Sequence, residues 1–203
     1  MKGIKIKTLL FDIGGVLVEY IGVNRMIELT GEKITPDEFG ERWIKSKYLK
    51  QYEIGGCDAE TFAEGAVKEF GMDISPGDFI RAFPFFAKGF YPGAEELLRA
   101  VRPKYTLACL SNTNVLQWNS MRDRFSIDKY FHYNFLSFET GVLKPDPEAY
   151  AYVIKKLGCG PDEIAFFDDN EANIQAGINA GIKAYRVLDF NDLKDNLQTL
   201  NLL

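Results

Sequence analysis

The chain has 203 residues, 46% of them hydrophobic and 14% aromatic, which suits one α/β domain carrying a modest insertion around a real core. A formal charge of −5, with no lysine or arginine cluster longer than two, argues against a nucleic-acid or anionic-membrane surface, so an anionic ligand must be attracted locally. The apolar run after Lys2, Lys5 and Lys7 is cut by Asp12 and is too short for a signal-peptide core, no stretch reaches the length of a membrane span, and Cys57, Cys109 and Cys159 fit neither a disulfide framework nor a metal-ligand pair; a reduced, cytoplasmic setting is the expectation.

In chain order, Ile6 to Phe11 reads as a strand that ends on Asp12-Ile13-Gly14-Gly15. Residues 18 to 90 hold no convincing strand. Helical spacing recurs there in Glu38 to Tyr52, Ala59 to Phe70 and Pro76 to Lys88, so the stretch reads as a small helical insertion with Gly89 to Gly93 as its return hinge. A helix opens at Pro92-Gly93-Ala94-Glu95-Glu96, a strand follows over Tyr105 to Leu110, and a second helix opens at Lys144-Pro145-Asp146-Pro147-Glu148. Ile164 to Phe167 and Ala184 to Leu188 are further strands, separated by a helix from Asn170 to Ala180 that Gly181 ends. Short apolar strands alternating with helices predict the α/β class and a parallel sheet. The expected division is a core of residues 1–17 and 90–203 and a helical cap of residues 18–89.

The polar residues fall into a pattern on this frame. Asp12, Ser111-Asn112-Thr113-Asn114 and Asp168-Asp169-Asn170 each follow a strand, and ligands of open parallel sheets bind along that carboxyl edge. Clustered aspartates repel one another unless a cation lies between them, and oxygen-only ligands suit Mg²⁺. Lys144, a hydroxyl and loop amides would then hold phosphate oxygens, while an ionised Asp needs no activating base to act as a nucleophile. Each feature has a plainer reading when taken alone. Asp before Gly-Gly is a common turn former, Ser111-Asn112 and Asp168-Asp169 suit helix caps, and a lysine before proline is unremarkable on a surface.

Taken together, Phe11-Asp12-Ile13-Gly14-Gly15-Val16-Leu17, Leu110-Ser111-Asn112-Thr113, Lys144-Pro145 and Phe166-Phe167-Asp168-Asp169-Asn170 resemble, in order, the four motifs of the haloacid dehalogenase (HAD) superfamily. The wording of these motifs is most similar to the bacterial branch that includes glucose-1-phosphate phosphatases. The resemblance implies a Rossmann-like core with a small helical cap inserted after the first strand, and a Mg²⁺-dependent phosphatase of small phosphorylated metabolites such as a sugar 1-phosphate. It also implies that Asp12 attacks phosphorus to form an aspartyl-phosphate, that Ser111 and the Asn112 amide hold the transferring group, and that Lys144 offsets charge between them. Asp169, the Asp12 carboxylate and the carbonyl of Gly14 would bind the metal, with Asp168 acting one hydrogen bond further out. A metal-free 2-haloacid dehalogenase would share Asp12 but has no use for the Asp168-Asp169 pair. A catalytically silent protein that keeps the fold is the other alternative.

The departure from the pattern is Gly14, where most phosphatases of this family carry a second Asp as acid and base. General acid-base help is worth on the order of a hundredfold to ten-thousandfold, so its loss slows turnover without abolishing it. An anomeric oxygen leaves more easily than an ordinary alkoxide, which suits a site short of an acid. Glu19 is the one substitute acid suggested by position. His132, the single histidine, has no Ser or Cys nucleophile motif to serve and reads as a packing or surface residue. Phe79, Phe83, Phe85, Phe86 and Phe90 read as cap core and cap-to-body packing, and Trp43, Lys45, Lys47 and Tyr48 as cap residues able to select substrate.

Overall fold

The computed structural model describes residues 5–203, so Lys2 and the first four residues of the expected core segment 1–17 lie outside it. In chain order, β1 (Thr8–Phe11) leads through β2 (Val18–Tyr20) into five helices, α1 (Gly22–Thr30), α2 (Pro36–Lys45), α3 (Lys47–Glu53), α4 (Ala59–Phe70) and α5 (Pro76–Ala82), and returns by β3 (Ala87–Phe90). Then follow α6 (Ala94–Val101), β4 (Thr106–Ser111), α7 (Val115–Phe125), β5 (Tyr133–Leu136), α8 (Ser137–Thr140), α9 (Pro147–Leu157), β6 (Ile164–Asp168), α10 (Glu171–Asn179), β7 (Lys183–Arg186) and α11 (Phe190–Thr199).

Five strands form one parallel sheet in the order β5-β4-β1-β6-β7. The chain builds outward from β1 through β4 to β5, then crosses back to add β6 and β7 on the other side. This places the reversal of strand order between β1 and β6, the point where such sheets open a binding crevice. All four residues of β1 are buried, and alternate side chains serve opposite faces. Leu9 and Phe11 enter one apolar core with Leu107, Phe167 and Leu193, whereas Leu10 enters the other with Tyr150, Phe166 and Ile174. A sheet covered on both faces explains why its strands read as near-continuous apolar runs.

The helical stretch has a core of its own. Phe39, Trp43, Phe62, Phe70, Phe79 and Phe83 are buried together, with Tyr52 stacked on Phe62 at 4.6 Å between ring centroids. The expected helix from Glu38 to Tyr52 is in fact two. Ser46 takes non-helical backbone angles, its hydroxyl accepts from the Leu49 N–H and donates to Glu69, and it thereby ends α2 and starts α3. Thr35 and Glu38 form a capping box at the start of α2.

The expectation that residues 18 to 90 hold no strand is overturned. Short strands β2 and β3 pair antiparallel and close the base of the insertion. Three or four residues with mixed polarity carry no readable period, and their pairing joins residues about seventy apart in sequence. Phe90 packs on Phe125 and Tyr130 of the body, in line with the expected packing of insertion on body, whereas Phe85 is 57% exposed. His132 is exposed, a surface residue whose Nδ1 accepts from the Leu107 N–H at 2.9 Å. Cys57, Cys109 and Cys159 are free thiols, and among the described residues no helix is long and apolar enough to cross a membrane.

Candidate active site

Parallel pairing sets the first layer of the site. Phe11 is level with Cys109 on β4 and with Phe167 on β6, so Asp12, Ser111 and Asp168 emerge along one edge. The Asp12 N–H continues the ladder by donating to the Phe167 carbonyl at 2.8 Å. Lys144 reaches this edge from the loop between α8 and α9, and Asn112 holds that loop at both backbone groups. Asn112 Oδ1 accepts from the Lys144 N–H at 2.8 Å, and its Nδ2 donates to the Lys144 carbonyl at 2.9 Å. Ser137 in turn binds both the N–H and the carbonyl of Thr113, at 2.9 Å each.

The buried Lys144 ammonium lies 2.9 Å from Asp12 Oδ1 and 2.6 Å from Asp168 Oδ2. Asp168 is fully buried and well satisfied, since it also accepts from the Asn170 N–H at 2.8 Å and from Asn173 Nδ2 at 2.9 and 3.1 Å. Burial disfavours the Lys144 charge, but Asp12 and Asp168 outweigh it and raise its pKa. One lysine faces three carboxylates, however. For Asp12, burial dominates over the attraction of Lys144, and repulsion from Asp168 and Asp169 adds to it, raising its carboxyl to about 7. Asp169 is shifted the same way by burial of its carboxylate and by the Asp168 charge.

The donor set fits a hard divalent cation. Oxygens of Asp12, Asp168 and Asp169 lie within 4.8 Å of one another. Asp168 is committed to Lys144 and Asn173, whereas Asp12 Oδ2 and the Asp169 carboxylate take no hydrogen bond from another of the described residues, and no backbone N–H there binds the Gly14 carbonyl. Unpaired carboxylate and carbonyl oxygens with excess negative charge are the ligands Mg²⁺ prefers.

A cavity of about 680 Å³ opens above this floor, lined by Asp12, Gly14, Ser111, Asn112, Lys144 and Asp169 from the sheet edge. Trp43, Lys45, Lys50, Glu53 and Tyr20 line it from the insertion. Of the four cap residues singled out in the sequence, Trp43 and Lys45 therefore face the crevice, and Lys47 and Tyr48 do not line it. Glu19 does not line it either: it is exposed on β2, where the alternation of a strand sends Val18 and Tyr20 to the crevice side. Gly14 lies outside the left-handed region, and a Cβ added there would meet only Tyr20 Cβ at 3.8 Å.

Sequence reasoning missed Tyr20, Lys50 and Glu53. Tyr20 lies in an unread strand, and its hydroxyl accepts from Gln117 Nε2 at 3.1 Å. Burial raises that phenol to about 12. Lys50 and Glu53 lie one helical turn apart on α3, an i, i+3 spacing that marks a shared face without telling which way it points. Burial raises the Glu53 carboxyl to about 8, with Lys144 opposing and Asp12 adding to the shift.

Residues 6–181 match the family of haloacid dehalogenase-like hydrolases. Over 204 residues the chain is 24% identical to a D-ribitol-5-phosphate phosphatase of Bacteroides thetaiotaomicron, covering 96% of this chain and 98% of the relative. It is also 24% identical to a chloroplast flavin mononucleotide hydrolase of Arabidopsis thaliana, covering 98% of this chain and 79% of that one. Among solved structures, a HAD family enzyme of Bacteroides thetaiotaomicron in complex with magnesium and inorganic phosphate superposes with a TM-score of 0.74 at 30% identity, covering 89% of this chain and 93% of the other. The L-2-haloacid dehalogenase of Xanthobacter autotrophicus shares the fold, with a TM-score of 0.64 at 20% identity over 98% of this chain and 84% of its own.

Proposed function

This chain belongs to the haloacid dehalogenase-like hydrolase family, and from that premise we propose that it is a Mg²⁺-dependent phosphatase of small phosphorylated metabolites. The observation that carries the reading is the Lys144 ammonium held between Asp12 and Asp168, with the unpaired carboxylate of Asp169 alongside. Asp12 attacks phosphorus and forms an aspartyl-phosphate, the ester oxygen departs, and water then releases phosphate. The Ser111 hydroxyl and the Asn112 amide bind phosphoryl oxygens. Lys144 balances charge between nucleophile and phosphate, and Asp168 with Asn173 keeps its ammonium aimed. Asp12, Asp169 and the Gly14 carbonyl would hold Mg²⁺, which when bound draws the phosphate dianion to the carboxylates and offsets developing charge. Because positioning and electrostatics dominate phosphoryl transfer, a buried, doubly paired lysine is the expected device.

In this reading residues 18–89 act as a cap over a core of 1–17 and 90–203, and the protein works in a reduced cytoplasm. A cavity of about 680 Å³ is of metabolite size. Relatives named for ribitol-5-phosphate and flavin mononucleotide support small phosphate esters as the class. A sugar 1-phosphate is the specific ester that the absence of an acid at Gly14 favours. The test is hydrolysis of p-nitrophenyl phosphate and of a panel of sugar and polyol phosphates, with Mg²⁺ or with EDTA. Turnover that needs Mg²⁺ and vanishes in Asp12→Asn supports the reading, and halide release insensitive to EDTA would replace it with a dehalogenase.

A further inference from the structure

We infer that Glu53, carried into the crevice on α3, performs the acid-base work that Gly14 cannot, protonating the leaving oxygen and then deprotonating the attacking water. The inference rests on the phosphatase reading above. It begins from elimination among the charged and titratable side chains that line the crevice. Three are carboxylic acids, namely Asp12, Asp169 and Glu53. The first is the proposed nucleophile and the second the proposed metal ligand, which leaves Glu53 as the one acid without an assignment. His132 is held against Leu107 on β4, and Glu19 faces away.

Placement supports the same role. An acid at position 14 would enter open space bordered by Tyr20. Glu53 lines the same crevice from α3, together with Tyr20, Gly14, Asp12 and Lys144. In-line displacement sends the leaving group away from Asp12, and Glu53 lines the crevice from the insertion rather than from the sheet edge that carries Asp12. The charged and titratable groups that line the crevice with Glu53 are Asp12, Lys144 and Asp169 from the body, Tyr20 from β2, Lys45 from α2 and Lys50 from α3 itself. Burial holds its carboxyl protonated up to about pH 8, so at neutral pH it is a donor beside a phosphate dianion, where a carboxylate would repel the substrate.

The proton balance closes. In the first half-reaction an Asp12 oxygen bonds to phosphorus as the bond from phosphorus to the ester oxygen breaks, the electron pair of the broken bond goes to the ester oxygen, and Glu53 supplies the proton that makes a neutral alcohol. In the second, the Glu53 carboxylate takes a proton from water as the water oxygen bonds to phosphorus. The bond from phosphorus to Asp12 then breaks, leaving phosphate, a free Asp12 carboxylate and a protonated Glu53.

The test uses the isosteric Glu53→Gln variant and compares first-turnover rates on an alkyl phosphate and on p-nitrophenyl phosphate, whose phenolate leaves without a proton. The expected result is a fall of about 10² to 10⁴ on the alkyl ester. On p-nitrophenyl phosphate the first turnover stays near wild type and is followed by a stalled aspartyl-phosphate, seen as a burst of one equivalent of nitrophenolate. Mg²⁺ half-saturation should not move, the alkaline fall in wild-type kcat near pH 8 should disappear, and adding Gly14→Asp to Glu53→Gln should restore alkyl-ester turnover. Equal losses on both esters, or a rise in KM alone, would reduce Glu53 to a substrate-holding residue and overturn the inference, as would unchanged turnover. These results leave the phosphatase reading standing. A wild-type protein inactive on every ester overturns both.

Discussion

The Asp169 carboxylate packs directly against the backbone of Gly15. A Cβ at position 15 would stand 2.6 Å from Asp169 Oδ2 and 3.3 Å from its carboxyl carbon, and Gly15 holds a left-handed φ of 76°. The second glycine of the opening motif is thus doubly required, for the turn and for the place of the acid across from it. Gly15→Ala is expected to cost about 1 kcal/mol or more in stability and to displace Asp169. Mg²⁺ binding by calorimetry should weaken about tenfold, equivalent to about 1.4 kcal/mol. Binding unchanged in an otherwise folded variant would remove Asp169 from the ligand set.

Lys144 neutralises two buried carboxylates at once, so its loss should reach both stability and chemistry. Lys144→Met leaves Asp12 and Asp168 without their cation, and removing one partner of a buried pair typically costs about 3–5 kcal/mol. Urea denaturation is expected to show a loss of that order together with no measurable phosphatase turnover. Asp168→Asn tests the support separately. The variant keeps a side chain that can bond to Asn173 but loses the charge pairing with Lys144, and kcat should fall about tenfold to a hundredfold. Full activity in Asp168→Asn would mean that Lys144 is held by its loop alone.

The raised Asp12 carboxyl sets a pH dependence with a definite sign. Its folded-state value of about 7 lies above the ordinary Asp value of about 3.9, so folding favours the protonated acid. In metal-free protein the Asp12 contribution is therefore fully present below about pH 4 and is lost as pH rises through about 7. Mg²⁺ bound beside Asp12 would select the carboxylate and reverse the trend, with protons released on binding below pH 7 and affinity falling as pH drops. Thermal melts in EDTA and in Mg²⁺ should diverge steadily from pH 5 to 8, and Asp12→Asn should flatten both curves. Parallel melting curves for the two conditions would mean that no cation is bound next to Asp12.

The insertion orients its crevice residues through an aromatic core. Phe62 is 1% exposed, stacks on Tyr52 of α3, and touches Trp43, Phe79 and Phe83. Phe62→Ala should cost about 3–5 kcal/mol by leaving a cavity there. Because Lys50 and Glu53 ride on α3 while the proposed metal ligands do not, KM should rise while Mg²⁺ affinity stays constant. A weakened Mg²⁺ site would show that the insertion also shapes the sheet edge.

The sheet and its polar edge were legible because their causes are local. Strands buried on both faces carry unbroken apolar runs, and each of Asp12, Ser111 and Asp168 follows such a run within one or two residues. The short pair β2 and β3, the break at Ser46 and the exposed β5 residues were harder to read, since three or four residues have no period and their partners lie far off in sequence. The same limit applied to the cap. Trp43, Lys45, Lys47 and Tyr48 are equivalent in sequence, and only packing of α2 and α3 on α4 turned the first two, with Lys50 and Glu53, toward Asp12.

By itself the sequence determined which strand ends carry charge, and therefore where the candidate site sits, because burial pattern and strand termini are properties of neighbouring residues. Tertiary structure alone decided how those charges share one lysine and which cap carboxyl faces them. Only the folded chain brings residues 12, 144 and 168 within hydrogen-bond distance and sets residue 53 in the same crevice, where burial, absent from the unfolded chain, decides who holds the proton.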